Sequence, residues 1–395
     1  MLTIRLTEWE LASGLTLTTG QIEALQSHFD AEVTPEVSAG TDVSDLRWRV
    51  RASSIVGVVA TGDGDVVVRP KVPVHNVLFL LGVSSGRDPL DALEDAALAD
   101  APDLTTAVAG LFASLAGRTL SRGVLRGYRP VAEHRQTLRG RVDVAEQIRV
   151  RPGRAMPIAV QYEEHDEDIL ENRLVLAAAR LLLRMRPSLD VARQLRRVVH
   201  TLDDVNGPWR GAEVSWTHLN ARYRPLVRLS QLVLSAQGLD LDSGNREAGA
   251  LTLDMNVVFE AFVCRVVGTE LVAAHGGEVT AQDTRWTLDE GGRVRLRPDL
   301  VWNGRGGYPA AVLDAKYKAR GGGGVPETDL YQMHAYCTAL GLDSGHLAYA
   351  QARPEVVRVV RGGPAIHVHR LDLSGAPHEL LDAGRSLARA IAHRA

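Results

Sequence analysis

Arg295-Leu296-Arg297-Pro298-Asp299-Leu300-Val301-Trp302 is followed, after a glycine-containing link, by Asp314-Ala315-Lys316-Tyr317-Lys318. Fourteen residues separate Asp299 from Asp314. Apolar and β-branched residues in both segments predict two strands, Val294 to Trp302 and Ala310 to Lys318. The link Asn303-Gly304-Arg305-Gly306-Gly307 is turn-like, so an antiparallel hairpin is the simplest connection. Side chains alternate across a strand. Asp314 and Lys316 therefore share one face with Val312, and Leu313, Ala315 and Tyr317 take the other. A hairpin can set Asp299 beside Asp314. Two carboxylates at close range need a cation, and all-oxygen donors favour Mg²⁺ or Mn²⁺. Lys316 beside them could neutralise charge building up on a phosphodiester. An Asp-x-Lys triplet by itself is weak, because most are ion pairs at strand edges.

The lysines sharpen the point. The chain has only three, Lys71, Lys316 and Lys318, among 45 basic residues. The rest are arginine, a bias that fits a GC-rich genome. A compact, movable ammonium differs chemically from a planar guanidinium fork. Positions that keep lysine against such a bias invite a chemical reason.

Two flanking helices extend the pattern. Met255 to Val263 begins a helix with Phe259, Phe262, Val263, Val266 and Val267 as its buried stripe. Glu260 sits at the edge of that stripe, either idle and half-exposed or aimed into a site. After the hairpin, Thr328-Asp329-Leu330-Tyr331-Gln332-Met333-His334-Ala335-Tyr336 reads as a helix. Gln332 and Tyr336, four apart, lie on one of its faces. They either line the site or sit at a core edge.

The rest of the chain bounds the reading. At 395 residues it is long enough for two or three domains. A net charge of −3 excludes a polycationic nucleic-acid binder overall, so any such surface is local. Ten arginines between Arg118 and Arg154 form the one strongly basic segment, opposed by Glu133, Asp143 and Glu146. They could face DNA phosphates or an acidic partner, or form a solvated surface of local ion pairs. Cys264 and Cys337 lie in apolar stretches and read as small core residues in a reducing compartment. The N-terminus lacks the basic start and apolar run of a signal peptide, and no apolar stretch has membrane-spanning length. A bacterial cytoplasmic protein is the expectation. Residues up to about 84 look β-rich, with a hairpin at Ser54 to Val68 and helices at Thr19 to Asp30 and His75 to Leu81. Residues 101 to 122 and 162 to 200 look helical, the latter after the acidic run Glu163 to Asp168. The Asp-, Gly- and Ser-rich stretch 239 to 249 is the best domain boundary. The expected class is mixed α+β. A β-rich region spans 1–155, a helical middle 156–245 and an α/β core 250–395.

A helix-borne Glu, Pro-Asp, Asp-x-Lys and Gln-x-x-x-Tyr together resemble the PD-(D/E)xK nuclease superfamily, in its RecB-like and lambda-exonuclease-like branch. More closely, Met255-Asn256-x-x-Phe259-Glu260, Arg297-Pro298-Asp299, Leu313 to Lys318 and Asp329 to Tyr336 resemble the McrC family. Its members are nuclease subunits of the McrBC modification-dependent restriction systems. Arg69-Pro70-Lys71, Leu138 to Arg141, Asp168-x-x-x-Asn172-Arg173 and Asn220-x-Arg222-Tyr223-x-Pro225 are also McrC-like. The resemblance covers most of the chain, loosely before about residue 250.

It implies a restriction-endonuclease-like core and Mg²⁺-dependent DNA cleavage, with Mn²⁺ as an alternative ion. Asp299, Asp314 and Glu260 would be the metal-site acids and Lys316 the catalytic lysine. Gln332 and Tyr336 would support positioning. It also implies an N-terminal region that docks on a McrB-like hexameric AAA+ GTPase and stimulates it, while that partner reads methylated double-stranded DNA. No Gly-x-x-x-x-Gly-Lys-Ser/Thr loop occurs, so this chain is not expected to be the GTPase. Gly321 to Gly324 would be a loop over the site. Two alternatives remain at this level. One is a non-catalytic adaptor of an AAA+ motor. The other is a nuclease working with a different motor in recombination or repair.

Overall fold

The computed structural model describes residues 3–36, 46–86, 104–185, 187–206, 214–235, 250–319, 325–351 and 354–394. The chain divides into two compact units, Met1–Leu111 with Ser235–Ala395, and Phe112–Leu234. This grouping differs from the three consecutive regions 1–155, 156–245 and 250–395. The proposed boundary at 239–249 and the glycine run 321–324 lie outside the described residues.

The first unit begins with β1 (Ile4–Thr7), β2 (Leu11–Leu15), α1 (Thr19–Phe29), β3 (Glu32–Glu36), β4 (Arg47–Arg51), β5 (Ile55–Thr61), β6 (Gly64–Arg69) and α2 (Val74–Ser84). The anticipated hairpin is β5–β6, closed by the pair Thr61 and Gly64. The cap of α1 is Thr18. The Thr18 hydroxyl accepts from the Gln21 amide while the Gln21 side chain accepts from the Thr18 amide, a reciprocal capping box. Strands β2, β4 and β3 form one small sheet. A second has the order β1-β6-β5-β10, where β10 (Ala250–Asp254) arrives from far along the chain. Asp254 Oδ1 accepts from the Ser54 hydroxyl at 3.0 Å, fastening the two ends of that junction. Gly57 lets β10 approach: a Cβ there would lie 2.0 Å from the Leu251 carbonyl oxygen. The long-range pairing of β10 with β5 is one of the links that join the N- and C-terminal parts into one unit.

The second unit is not purely helical. Helix α3 (Leu104–Leu120) leads into it. Then come β7 (Gly127–Arg135), β8 (Arg141–Val142), α4 (Val144–Val150), β9 (Ile158–Asp166), α5 (Leu170–Arg184), α6 (Leu189–Thr201) and α7 (Arg224–Ser235). The acidic run Glu163 to Asp166 ends strand β9 rather than leading a helix. Antiparallel register sets Arg129 opposite Glu164. Arg129 Nη2 lies 2.8 Å from Asp166 and 3.6 Å from Glu164, and Arg139 lies 3.2 Å from Glu164. Arg149 pairs with Glu146 at 2.8 Å. For these arginines the local ion-pair reading holds, and such exposed pairs add little stability each. Two of the McrC-like pieces of this unit, those containing Asn172 and Tyr223, meet at Leu125. The buried Asn172 amide donates to its carbonyl at 2.8 Å, and its own amide donates to the Tyr223 hydroxyl at 2.9 Å.

The C-terminal part returns to the first unit. After β10 come α8 (Met255–His275), β11 (Glu278–Ala281), β12 (Leu300–Asn303), β13 (Pro309–Ala319), α9 (Glu327–Leu340), β14 (Ser344–Gln351), β15 (Glu355–Arg358), β16 (Ala365–Arg370) and α10 (Pro377–Ala392). Six strands form a mixed sheet in the order β11-β12-β13-β14-β16-β15, with β13, β14 and β16 parallel. The first strand of the anticipated hairpin is shorter than Val294 to Trp302. Residues 294 to 299 are held by separate bonds, Leu288 N–H to the Val294 carbonyl and Leu296 N–H to the Trp286 carbonyl. Pro298 has no N–H to give a ladder. On one sheet face α9 buries Met333, Tyr336, Cys337 and Leu340 against Val301, Val312, Leu347, Tyr349 and Ile366. Gly345 on β14 makes this approach close. A Cβ there would lie 2.5 Å from Met333 Sδ and 2.6 Å from Cys337 Sγ. Among the described residues no helix is long and apolar enough to cross a membrane.

Candidate active site

The register Leu300 opposite Leu313 sets Asp299, just before β12, next to Asp314 on β13. Both carboxylates are buried, at 8% and 1% exposure. Asp299 Oδ2 accepts the Ala315 amide at 2.8 Å, so the Asp299 side chain is tied to the backbone between Asp314 and Lys316. Lys316 Nζ lies 2.5 Å from Asp314 Oδ2 as an ion pair. Its side chain is itself mostly buried.

Helix α9 completes one side. Lys316 Nζ donates to Gln332 Oε1 at 3.2 Å, Gln332 Nε2 donates to the Tyr336 hydroxyl at 2.7 Å, and that hydroxyl donates to the Arg297 carbonyl at 3.0 Å. The spacing of four that puts Gln332 and Tyr336 on one helical face thus builds a chain of donors. It runs from the lysine on β13 back to the residue before Pro298-Asp299. Gln332 itself is exposed and Tyr336 is buried.

Glu260 stands on α8, half-buried. It accepts a hydrogen bond from the Gln282 side-chain amide. Gln282 has φ +53 and donates its backbone N–H to the Asp299 carbonyl at 3.0 Å. The Cys264 thiol, one turn along α8, contacts the same carbonyl at 3.4 Å. Its burial holds that thiol well above the usual range.

The electrostatics follow from three acids against the Lys316 ammonium, with the Arg297 charge also acting on Glu260. Burial, then the charges of Asp314 and Glu260, push the Asp299 carboxyl up to about 8. Burial first and Asp314 second raise Glu260 as well. Burial works against the Lys316 charge, but Asp314 outweighs it and raises that pKa. Burial and the charge of Asp314 also raise Tyr336. An elevated carboxyl between two other acids marks a site short of positive charge. Three oxygen-donor acids with that deficit fit a hard divalent cation in their chemistry. Among the described residues no three His, Cys, Asp or Glu side chains form a ready-made ligand group. The carboxylates would have to turn toward a shared ion.

All six residues singled out from the sequence, Glu260, Asp299, Asp314, Lys316, Gln332 and Tyr336, fall in this one neighbourhood. Two participants were missed. No pattern marks Gln282, because its role comes from a left-handed backbone that aims it at Glu260. Asp329 lies in the same run as Gln332 and is buried, accepting the Tyr349 hydroxyl at 2.6 Å. Its charge also raises the Lys316 pKa.

The family described as McrBC 5-methylcytosine restriction system component matches residues 50–350. The chain belongs to this family. No curated protein matches the chain. Among solved structures, this McrBC family member is similar to a chain in a half-complex from a tetradecameric assembly of Thermococcus gammatolerans McrB AAA+ hexamers with bound McrC. That match has 20% identity and a TM-score of 0.56, and covers 99% of this chain and 100% of that one. At this identity the likeness shows a shared fold over the whole chain. A chain of the Thermococcus gammatolerans McrBC complex is 23% identical over 68% of this chain and 88% of its own length. Its TM-score of 0.42 adds nothing to the argument.

Proposed function

We propose that this McrBC family member is the Mg²⁺-dependent DNA endonuclease subunit of a modification-dependent restriction complex. It docks on an AAA+ GTPase that recognises methylated DNA and translocates. The observation that carries the reading is the buried pair Asp299–Asp314 with Lys316 seated against it. Asp299 and Asp314, with Glu260, would hold the ion, and a bound divalent cation supplies electrophilic activation of a phosphodiester. Lys316 would offer its ammonium to a phosphate oxygen as that oxygen gains charge. Gln332 accepts from that ammonium and is itself held by Tyr336, which is anchored on the Arg297 carbonyl. The partner follows from the family and from the assembly in which the similar fold occurs, McrB AAA+ hexamers with bound McrC.

One observation favours a second reading, a non-catalytic adaptor that regulates the motor. The acids do not stand as a three-ligand group among the described residues. Cleavage of methylated duplex DNA by the chain together with its GTPase partner separates the two. Asp314→Ala and Lys316→Ala are each expected to lower cutting at least about a thousandfold, as loss of a transition-state charge contact does. GTPase stimulation by either variant should match the unaltered chain. Unchanged cutting in both variants would sink the nuclease reading. Loss of stimulation along with cutting would sink the separation of roles.

A further inference from the structure

Glu8 follows β1 directly and is 1% exposed, far in sequence from every residue of the candidate site. A buried carboxylate needs strong partners. Its Oε1 accepts the backbone N–H of Lys71 at 2.5 Å and the hydroxyl of Tyr317 at 2.8 Å. Lys71 follows the end of β6, so Glu8 clips β1 to β6 and reaches across to β13. Tyr317 is the residue after Lys316 and points to the opposite face of the strand, where it is 4% exposed. Its ring packs on Phe259 with centroids 5.9 Å apart, and Phe259 precedes Glu260 on α8. One buried acid from the N-terminal sheet thus holds the reverse side of both elements that present the site's charges.

We propose that Glu8 is a positioning residue. Through the Tyr317 hydroxyl it fixes the end of β13 that carries Asp314 and Lys316. Through the Tyr317–Phe259 contact it fixes the part of α8 that carries Glu260. This rests on the nuclease reading of the site. It gives the N-terminal region a part in the geometry of the chemistry as well as in docking. Lys71 helps to hold the Glu8 carboxylate in place, its backbone amide as the second donor and its charge by favouring the ionised form. Removal of the acceptor leaves a buried hydroxyl unpartnered, and the strand end can then relax away from the working geometry.

The test uses the full chain with its GTPase partner, methylated duplex DNA and Mg²⁺. Tyr317→Phe is expected to lower turnover about tenfold at unchanged half-saturating DNA, the scale of one lost buried hydrogen bond, and Glu8→Ala, which removes the acceptor of two, at least as much. The double variant should be no worse than Glu8→Ala alone, because that change already breaks the link to Tyr317. Glu8→Gln keeps a carbonyl acceptor for both donors and should recover most of what Glu8→Ala loses. Hydrogen–deuterium exchange gives a readout free of activity. Amides of residues 313–317 should exchange faster in Tyr317→Phe, while those of α10 keep their protection. Unaltered turnover together with unaltered exchange in Tyr317→Phe overturns the proposal. So do additive losses in the double variant, or a Glu8→Gln protein no better than Glu8→Ala. Asp314→Ala serves as the control for the underlying reading. If that variant still cuts, the nuclease assignment has failed, and the exchange measurement alone decides whether Glu8 positions the strand.

Discussion

Asp299 carries the most informative charge in the molecule. Its carboxyl titrates near 8 in the folded chain, against an ordinary value near 3.8, because burial and two neighbouring acids penalise ionisation. A raised carboxyl binds its proton more tightly folded than unfolded. Between those two values the folded state therefore holds more protons, and stability falls as pH rises. Across about pH 4 to about pH 8 this carboxyl contributes a progressive loss in the metal-free chain. His346 and His369, whose pKa values burial lowers, contribute in the opposite direction. The melting-temperature difference between Asp299→Asn and the unaltered chain should therefore move in the variant's favour as pH rises. Mg²⁺ should oppose the loss at the alkaline end, since it takes the place of the proton among the acids. A difference between the two proteins that stays constant from about pH 5 to 8 without metal would contradict the assignment. At this scale much was readable. The period of two put Asp314 and Lys316 on one face, and the hairpin reading put Asp299 beside them. Gln282 was not readable, because a single positive φ leaves no trace in composition.

Among the elements, α9 matters through its seat on β14. Gly345 brings the helix close enough for Gln332 and Tyr336 to bridge Lys316 and the Arg297 carbonyl. Gly345→Ala would force a methyl group against Met333 and Cys337. Overpacking of this kind costs about 1–3 kcal/mol. Urea unfolding should show that loss, and cutting should fall with it because the helix carries two members of the donor chain. An unshifted midpoint would mean that the sulfur atoms yield freely. Helix α8, strand β13 and the β5–β6 hairpin were legible because their signals are local, namely a stripe, an alternation and a glycine turn. The segment 294–299 misled because its alternating side chains imitate a strand. Its backbone instead bonds to Trp286 and Leu288, partners outside the hairpin. The acidic run before α5 was misread for a related reason. Glutamates suit a helix start equally well, and the pairing with β7 that sets Arg129 opposite Glu164 is not visible in the run itself.

For the whole molecule, the two-unit grouping was the least legible feature, since the pairing of β10 with β5 bridges roughly half the chain. Nothing in either strand names the other. That pairing has a consequence for the way the protein comes into being. A ribosome releases β5 and β6 first, then all of Phe112–Leu234, and only afterwards the strand that closes the sheet. At about 5–20 residues per second, β5 waits on the order of ten seconds or more with an open, apolar edge. The nascent N-terminal sheet is thus a client for chaperones until Asp254 emerges, and the acids that follow cannot be assembled before it. Chains ended at residue 245 should accumulate as aggregates. Supplying residues 246–395 as a second polypeptide during synthesis should return part of them to the soluble fraction, which fractionation after co-expression would measure. Full solubility of the shortened chain alone would show that the waiting edge is harmless.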